Sequence, residues 1–471
     1  MFYPDMLSLF MAGMFPKSFG VMERREWIDH SQDAVYDVAI VGGGITGAGI
    51  ANILSQNGLK IILLEKGDFA SGTSSGSSKL IHGGLRYLAN LHLREVRTLL
   101  KERNYLSKNT DIVKFMNFRI LIDPYSWKRE TMRLGLITYN VLSGNPEFPR
   151  MKRNSGEYGS EVRGYFTYRD AWSDDCRLTI YNILSAVNAG ARCLNYARVV
   201  SIKNEGNTIR IDAEDSVDKR KFSVTARYGI NAAGPWSKKV YDLSEGKNDI
   251  SLKLSKGVHI VVPAEKAKTQ SAIVFRSHLD QRQMFIIPRG EVTIIGTTDK
   301  FLNDPDDFSV SEEDVNYIVS SARRIFPSLS EEDVTYSYAG IRPLFGNGDD
   351  PGSISRGFVI RESERMIHIF GGKLTDYRYA ARRVASIYGK KTDLKLRIRS
   401  MPLVNYSRPH ISGKELYLYE MNHECALYPE DIVRRREAFD VYRKDRGNSE
   451  LDLINSLFED RENAHVISPK S

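Results

Sequence analysis

A glycine cluster between two hydrophobic patterns constrains this chain more than any other feature. Tyr36–Val41 (YDVAIV) is a short β-branched run of the kind buried in a parallel sheet, and it leads into Gly42, Gly44 and Gly47. From Ile45 to Gln56 the apolar spacing is helical and stops at Asn57-Gly58; a second strand-like run, Lys60–Leu64, ends at Glu65. The G-x-G-x-x-G turn needs glycine for tightness, for backbone approach to a pyrophosphate and for close helix–strand packing. The helix N-terminus then faces the anion. Glu65, 18 residues past Gly47, stands where an acid binds ribose hydroxyls. This spacing specifies a dinucleotide site of Rossmann type and leaves NAD and FAD both open.

The remaining composition narrows the class. At 471 residues the chain exceeds one hydrophobic core, and 41% hydrophobic content excludes global disorder. Cys176, Cys193 and Cys425 are isolated. They build neither a disulfide framework nor a CxxC metal site, so no metal is expected and a reducing, cytoplasmic compartment fits. The net charge of +8 admits nucleic acid, an anionic membrane face or an anionic substrate. No aromatic-interleaved basic patch or binding module supports nucleic acid. Met6–Phe15 (MLSLFMAGMF) is shorter than the ~20 residues of a membrane span. It reads as an extension docked on the body, with a weak surface anchor as the sharper alternative.

Ser71–Ser78 is almost all Ser, Gly and Thr, Ile81–Arg103 reads as helical, and residues 111–168 read as irregular and basic. A helix is expected over Cys176–Asn188, followed by strands Ala197–Lys203, Thr208–Asp212 and Phe222–Tyr228. The runs HIVVP, FIIP and VTIIGTTD predict an antiparallel sheet, and Pro429–Asp445 predicts a charged helical segment.

Thr73–Leu88 (TSSGSSKLIHGGLRYL) resembles the signature loop and helix of FAD-dependent glycerol-3-phosphate dehydrogenases, within the glycine-oxidase-like flavoprotein group. The resemblance continues through Asp170–Leu178 (DAWSDDCRL), Asn231–Trp236 (NAAGPW), Lys256–Pro263 (KGVHIVVP), Ile295–Asp299 (IGTTD), Gly340–Leu344 (GIRPL) and Gly371–Arg378 (GGKLTDYR). Departures are Ile53 and Asn57 in place of Asp and Arg, Ala233 in place of Thr, and Asp376 where Ser, Thr, Gly or Glu is commoner.

The resemblance implies an FAD-binding domain (34–110, 165–235 and 336–395) interleaved with an antiparallel-sheet substrate domain (111–164 and 236–335). An N-terminal extension (1–33) and a short helical C-terminal domain (400–471) flank them. The implied activity is oxidation of sn-glycerol 3-phosphate to dihydroxyacetone phosphate, with electrons passed to a quinone or other acceptor. An oxidase using O₂, or acting on an amine or another 2-hydroxy compound, is the alternative. FAD would be held by Gly42, Gly44, Gly47, Glu65, Thr73, Ser74, Ser78, Gly234, Gly372, Lys373, Leu374 and Thr375. Arg86, Arg342 and Lys373 would clamp the phosphate, with Tyr87 adding a hydroxyl. His259 ranks first as proton acceptor and His82 second, flavin-proximal. The basic stretch Tyr377–Arg399 is a candidate for an anionic membrane surface, against the plainer reading of an ordinary helix with a solvated basic face. A homo-oligomer is left open.

Overall fold

Val35–Val41 lies inside an eight-stranded sheet, flanked in parallel by Ile61–Leu64 and Lys221–Asn231. Arg192–Leu194 and Met366–Gly371 extend the parallel ladder, and Phe358–Glu362 closes one edge antiparallel. Strand side chains alternate between faces, so a sheet covered on both sides is apolar at successive positions. Val38, Ile40, Ile61 and Leu63 join the core under helices Ile45–Ser55, Asp175–Asn188 and Tyr377–Thr392. Ala39, Val41, Ile62 and Leu64 join the opposite core with strands Ala197–Asn204 and Ile209–Asp215 and helix Ser237–Glu245. This computed structural model describes residues 18–88, 92–126, 128–246, 250–352, 354–398, 403 and 411–466. The expectation for Met6–Phe15 lies outside them.

A ten-stranded sheet forms the second layer. Val113–Ile122 pairs antiparallel with Gly164–Ser173, and Leu252–Pro263 pairs with Tyr336–Phe345 and Val292–Gly296. Helices Leu93–Asn109 and Arg129–Leu142 pack on one face through Leu99, Leu100, Leu136 and Tyr139. Helix Glu312–Arg323 packs on the other through Ile318, Val319 and Ala322.

Several boundaries differ from expectation. Gly164–Ser173 and Tyr336–Phe345 belong to the second sheet, whereas Ser237–Glu245 packs on the first. Their partners are remote in sequence, which a local pattern does not register. Residues 111–168 are not irregular: they hold the strand Val113–Ile122 and the helix Arg129–Leu142. The helix expected over Ile81–Arg103 begins only after Gly83-Gly84, with Ile81 in the short strand Leu80–Ile81 and Gly84 at φ +76°, and its described parts are Leu85–Leu88 and Leu93–Asn109. Pro429–Asp445 divides into a π-helical turn, Asp431–Arg436, and a short helix, Phe439–Tyr442, at Ala438 with φ +50°. Helix Tyr377–Thr392 is largely core: Tyr377, Ala381, Val384 and Tyr388 are buried, and Arg378 and Arg382 both pair with Glu102.

Buried charge staples the C-terminal helices to the first domain. Asp68 accepts hydrogen bonds from Arg435 Nε at 2.6 Å and Arg436 Nη1 at 2.7 Å. Arg177 Nη1 donates to both oxygens of Glu424 at 2.6 and 2.7 Å. Burial opposes ionisation of Asp68, but Arg436 and Arg435 outweigh it and hold its pKa below the usual carboxylate value. Breaking such a pair strands buried cations. Asp68→Asn is therefore expected to cost about 3–5 kcal/mol in denaturant unfolding and to speed proteolysis of the C-terminal helices.

Candidate active site

The glycine turn is sterically closed to other residues. Gly42 sits at φ +113°, and a Cβ there would stand 2.6 Å from the Ala232 carbonyl oxygen. A Cβ on Gly47 would lie 1.9 Å from the Gly42 carbonyl oxygen. Gly44, Ile45 and Thr46 line a cavity at the N-terminus of helix Ile45–Ser55, where first-turn N–H groups lack intrahelical partners. Ser74 Oγ accepts one of them, from Ile45, at 2.9 Å. Glu65 accepts backbone N–H bonds from Gly43 at 2.6 Å and Gly67 at 2.9 Å. These bonds fix its carboxylate at the cavity wall, and burial raises its pKa.

The cavity of about 530 Å³ runs between the two sheets. Of the residues expected at the cofactor or substrate, Gly42, Gly44, Glu65, Thr73, Ser74, Ser78, Gly234, Gly372, Leu374 and Thr375 line it, together with His82, Arg86, Tyr87, Arg342 and Lys373. Gly47 is absent from the lining because it packs beneath the turn. The Ser/Thr/Gly loop reaches the second sheet through a close crossing: a Cβ on Gly340 would lie 2.1 Å from the Gly76 carbonyl oxygen.

Sequence reasoning found Arg86 and Arg342 but missed two of the four arginines that converge here. Arg282 and Arg356 line the same cavity as Arg86 and Arg342. Arg282, Arg342 and Arg356 meet Asp299 at 2.9, 3.1 and 2.5 Å. Arg342 also donates to Thr297 Oγ1 at 3.0 Å. Its guanidinium fits because residue 257 is glycine; a Cβ there would stand 2.0 Å from Nη2. Burial, then repulsion by Arg356, lowers the Arg342 pKa to about 10. Burial and Arg356 likewise lower that of Arg86. A site that pushes guanidiniums toward deprotonation is one that an added anion stabilises.

Lys373 is less available than expected. Its ammonium pairs with Glu95 at 2.6 Å, lies 3.8 Å from Asp376 and stands 5.0 Å from the Tyr87 ring centroid. Burial disfavours its charge, but Tyr87, Asp376 and Glu95 outweigh this and raise its pKa.

The two candidate histidines stand differently toward the cavity. His259 is 1% exposed and does not line the cavity. Its Nε2 meets Ser78 Oγ at 2.8 Å, and its ring stacks on Tyr338 at 4.9 Å. Burial, then Arg342 and Lys79, holds its pKa well below the ordinary value. It stands behind the wall, supporting Ser78. His82 does face the cavity; burial, reinforced by Lys373, Arg86 and Arg356 against an opposing Asp170, lowers its pKa to about 4.

A glycine turn, a ribose-type acid and an anion-seeking cluster in one cavity identify a dinucleotide enzyme acting on an anion. A model of the FAD dependent oxidoreductase (DAO) family matches residues 37–378. An aerobic glycerol-3-phosphate dehydrogenase of Staphylococcus haemolyticus is 36% identical over 383 residues, 76% of this chain and 68% of that protein. The chain belongs to the FAD-dependent glycerol-3-phosphate dehydrogenase family. Another relative in this family, the Escherichia coli aerobic glycerol-3-phosphate dehydrogenase, is 36% identical over 363 residues, covering 73% of this chain and 72% of its own length. Among solved structures, a Bacillus halodurans glycerol-3-phosphate dehydrogenase complexed with FAD superposes with TM-score 0.76 at 25% identity, covering 94% of each chain. As a family member the chain is an FAD-dependent oxidoreductase. The glycine cradle and Glu65 fit that cofactor on steric and hydrogen-bonding grounds.

Proposed function

We propose that this chain oxidises sn-glycerol 3-phosphate to dihydroxyacetone phosphate and passes the electrons to a quinone at an anionic membrane surface. The observation that carries the substrate is the arginine cluster: Arg86, Arg282, Arg342 and Arg356 share a cavity with the dinucleotide cradle. A phosphate dianion takes forked, charge-assisted hydrogen bonds from such guanidiniums, which set the carbinol at a fixed depth. FAD, when bound, supplies the acceptor for the carbinol hydride. His82 is the residue assigned to take the hydroxyl proton. With a pKa lowered to about 4, its imidazole is neutral at pH 7 and keeps a free lone pair without prior deprotonation. Tyr87 shapes the pocket wall, and Lys373, held by Glu95, adds positive potential.

A pH dependence follows from this assignment. Protonation of His82 abolishes the base, so kcat/KM, corrected for the fraction of substrate present as the dianion (second phosphate pKa ~6), is expected to be flat between pH 6 and 8 and to fall only as the pH nears about 4. A pH–rate profile on the holoenzyme with an acid limb near 6.5, absent in His82→Gln, would assign the proton to an ordinary histidine instead.

The membrane reading rests on helix Arg129–Leu142 rather than on the basic helix Tyr377–Thr392. Its outward side leaves Leu134 65% and Val141 59% exposed, and Phe148 follows at 72%. Exposed Arg129, Arg133, Arg150 and Lys152 flank them. Apolar side chains set among these cations, which outnumber the exposed Glu130 and Glu147 of the same segment, suit anionic headgroups. On its inner side Tyr139 donates to Asp170 at 2.8 Å and accepts from Gly83 N–H at 3.0 Å, adjoining the segment that carries Arg86. No helix among the described residues is long and apolar enough to cross a membrane. Flotation with anionic liposomes that is lost in Phe148→Glu, together with substrate-driven reduction of a soluble quinone faster than O₂ uptake, is the expected result. O₂ uptake as the faster process would instead make the enzyme an oxidase.

A further inference from the structure

We infer that Asp299 is a positioning residue that assembles the arginine cluster into one anion receptor. The inference rests on the cavity reading above and deepens it. Asp299 ends the strand-and-turn run after Val292–Gly296, and its side chain is 1% exposed. Oδ1 meets Arg342 Nη1 at 3.1 Å and accepts from the Ser255 hydroxyl; Oδ2 meets Arg356 Nη2 at 2.5 Å and Arg282 Nη1 at 2.9 Å. The three arginines come from unrelated parts of the chain: Arg342 from strand Tyr336–Phe345, Arg282 from the turn before Gln283–Arg289, and Arg356 from the segment before Phe358–Glu362. Three guanidiniums gathered beside a cavity repel one another unless a carboxylate sits among them. Among the described residues Asp299 is the carboxylate that meets all three, Asp280 reaching only Arg282 at 3.2 Å, and each of the three arginines also lines the cavity. The fork of each is thereby oriented before any anion arrives.

Two opposite signs separate this role from a mere charge effect. If Asp299 only diluted positive potential, Asp299→Asn would tighten anion binding. If it positions the forks, the same isosteric change scatters them and weakens binding. The test uses FAD-loaded enzyme and inorganic phosphate, followed by calorimetry or by the perturbation of the flavin absorbance. Asp299→Asn is expected to raise the phosphate Kd, and the KM for glycerol 3-phosphate, by roughly tenfold or more, with kcat falling less. Ser255→Ala, which removes only the hydroxyl bound to Asp299, moves both the same way by a smaller factor. Asp299→Glu recovers part of the loss. Unchanged flavin content shows that the cofactor site is intact. A Kd unchanged within twofold, or lowered, in Asp299→Asn overturns the inference; should that variant not fold, an unchanged Kd in Ser255→Ala does so. Phosphate binding reads the receptor whether or not glycerol 3-phosphate is turned over. Phosphate binding that depends on Asp299 without turnover therefore sinks the substrate assignment alone.

Discussion

Arg342→Ala is expected to lower kcat/KM for glycerol 3-phosphate by about 10²–10³-fold, while FAD content stays unchanged. Arg342 lies in the cavity, held by Asp299 at 3.1 Å and Thr297 at 3.0 Å. A forked pair of charge-assisted hydrogen bonds to the phosphate is worth about 3–4 kcal/mol, the lower part of the range set by two bonds at ~1.5–3 kcal/mol each. That interval corresponds to the stated loss at 1.4 kcal/mol per factor of ten. Arg342→Lys restores the charge but not the planar fork, so recovery should be partial. Steady-state kinetics with flavin content measured on the same samples checks this. A loss confined to kcat, with KM unchanged, would place Arg342 outside the phosphate clamp.

Gly47→Ala is expected to yield folded protein with less than about a tenth of the normal bound flavin, because a blocked close approach removes the cradle outright. The added methyl would meet the Gly42 carbonyl oxygen at 1.9 Å, and Gly42 in turn has the Ala232 carbonyl oxygen within 2.6 Å of any Cβ. The turn must open, and the pyrophosphate approach goes with it. Gly58→Ala is the control. Gly58 has φ +77° and open space around it, so alanine there costs about 1 kcal/mol of backbone strain and leaves the flavin alone. The ratio of visible to ultraviolet absorbance, with circular dichroism for the fold, reads both variants.

These two sites differ in how far the sequence alone exposes them. The dinucleotide cradle is local: strand, turn, helix, strand and acid fall within one short segment, so Gly42, Gly44, Gly47 and Glu65 are legible from spacing. The arginine cluster is only half legible: the resemblance places Arg86 and Arg342, whereas Arg282 and Arg356 come to Arg342 through Asp299 from remote parts of the chain. Asp299 ends the run Ile295–Asp299 with no role legible there, since nothing local shows its partners. His259 shows how motif membership leaves depth unspecified. Ser255, Gly257 and His259 share one face of the strand Leu252–Pro263 by period-two alternation. The first holds Asp299 and the second makes room for Arg342, whereas the third falls beyond the cavity wall, under Tyr338. Motif membership located the strand, and only the packing located each residue along it. The domain boundaries at Gly164–Ser173 and Tyr336–Phe345 moved for the same reason: strand partnership is a long-range property.

The most direct measurement is an anaerobic titration of the FAD-loaded enzyme with sn-glycerol 3-phosphate. The proposed reaction predicts bleaching of the oxidised flavin band with about one dihydroxyacetone phosphate formed per flavin reduced, and no bleaching by glycerol or glycine. A flavin that stays oxidised with glycerol 3-phosphate, or that bleaches equally well with unphosphorylated glycerol, would contradict it.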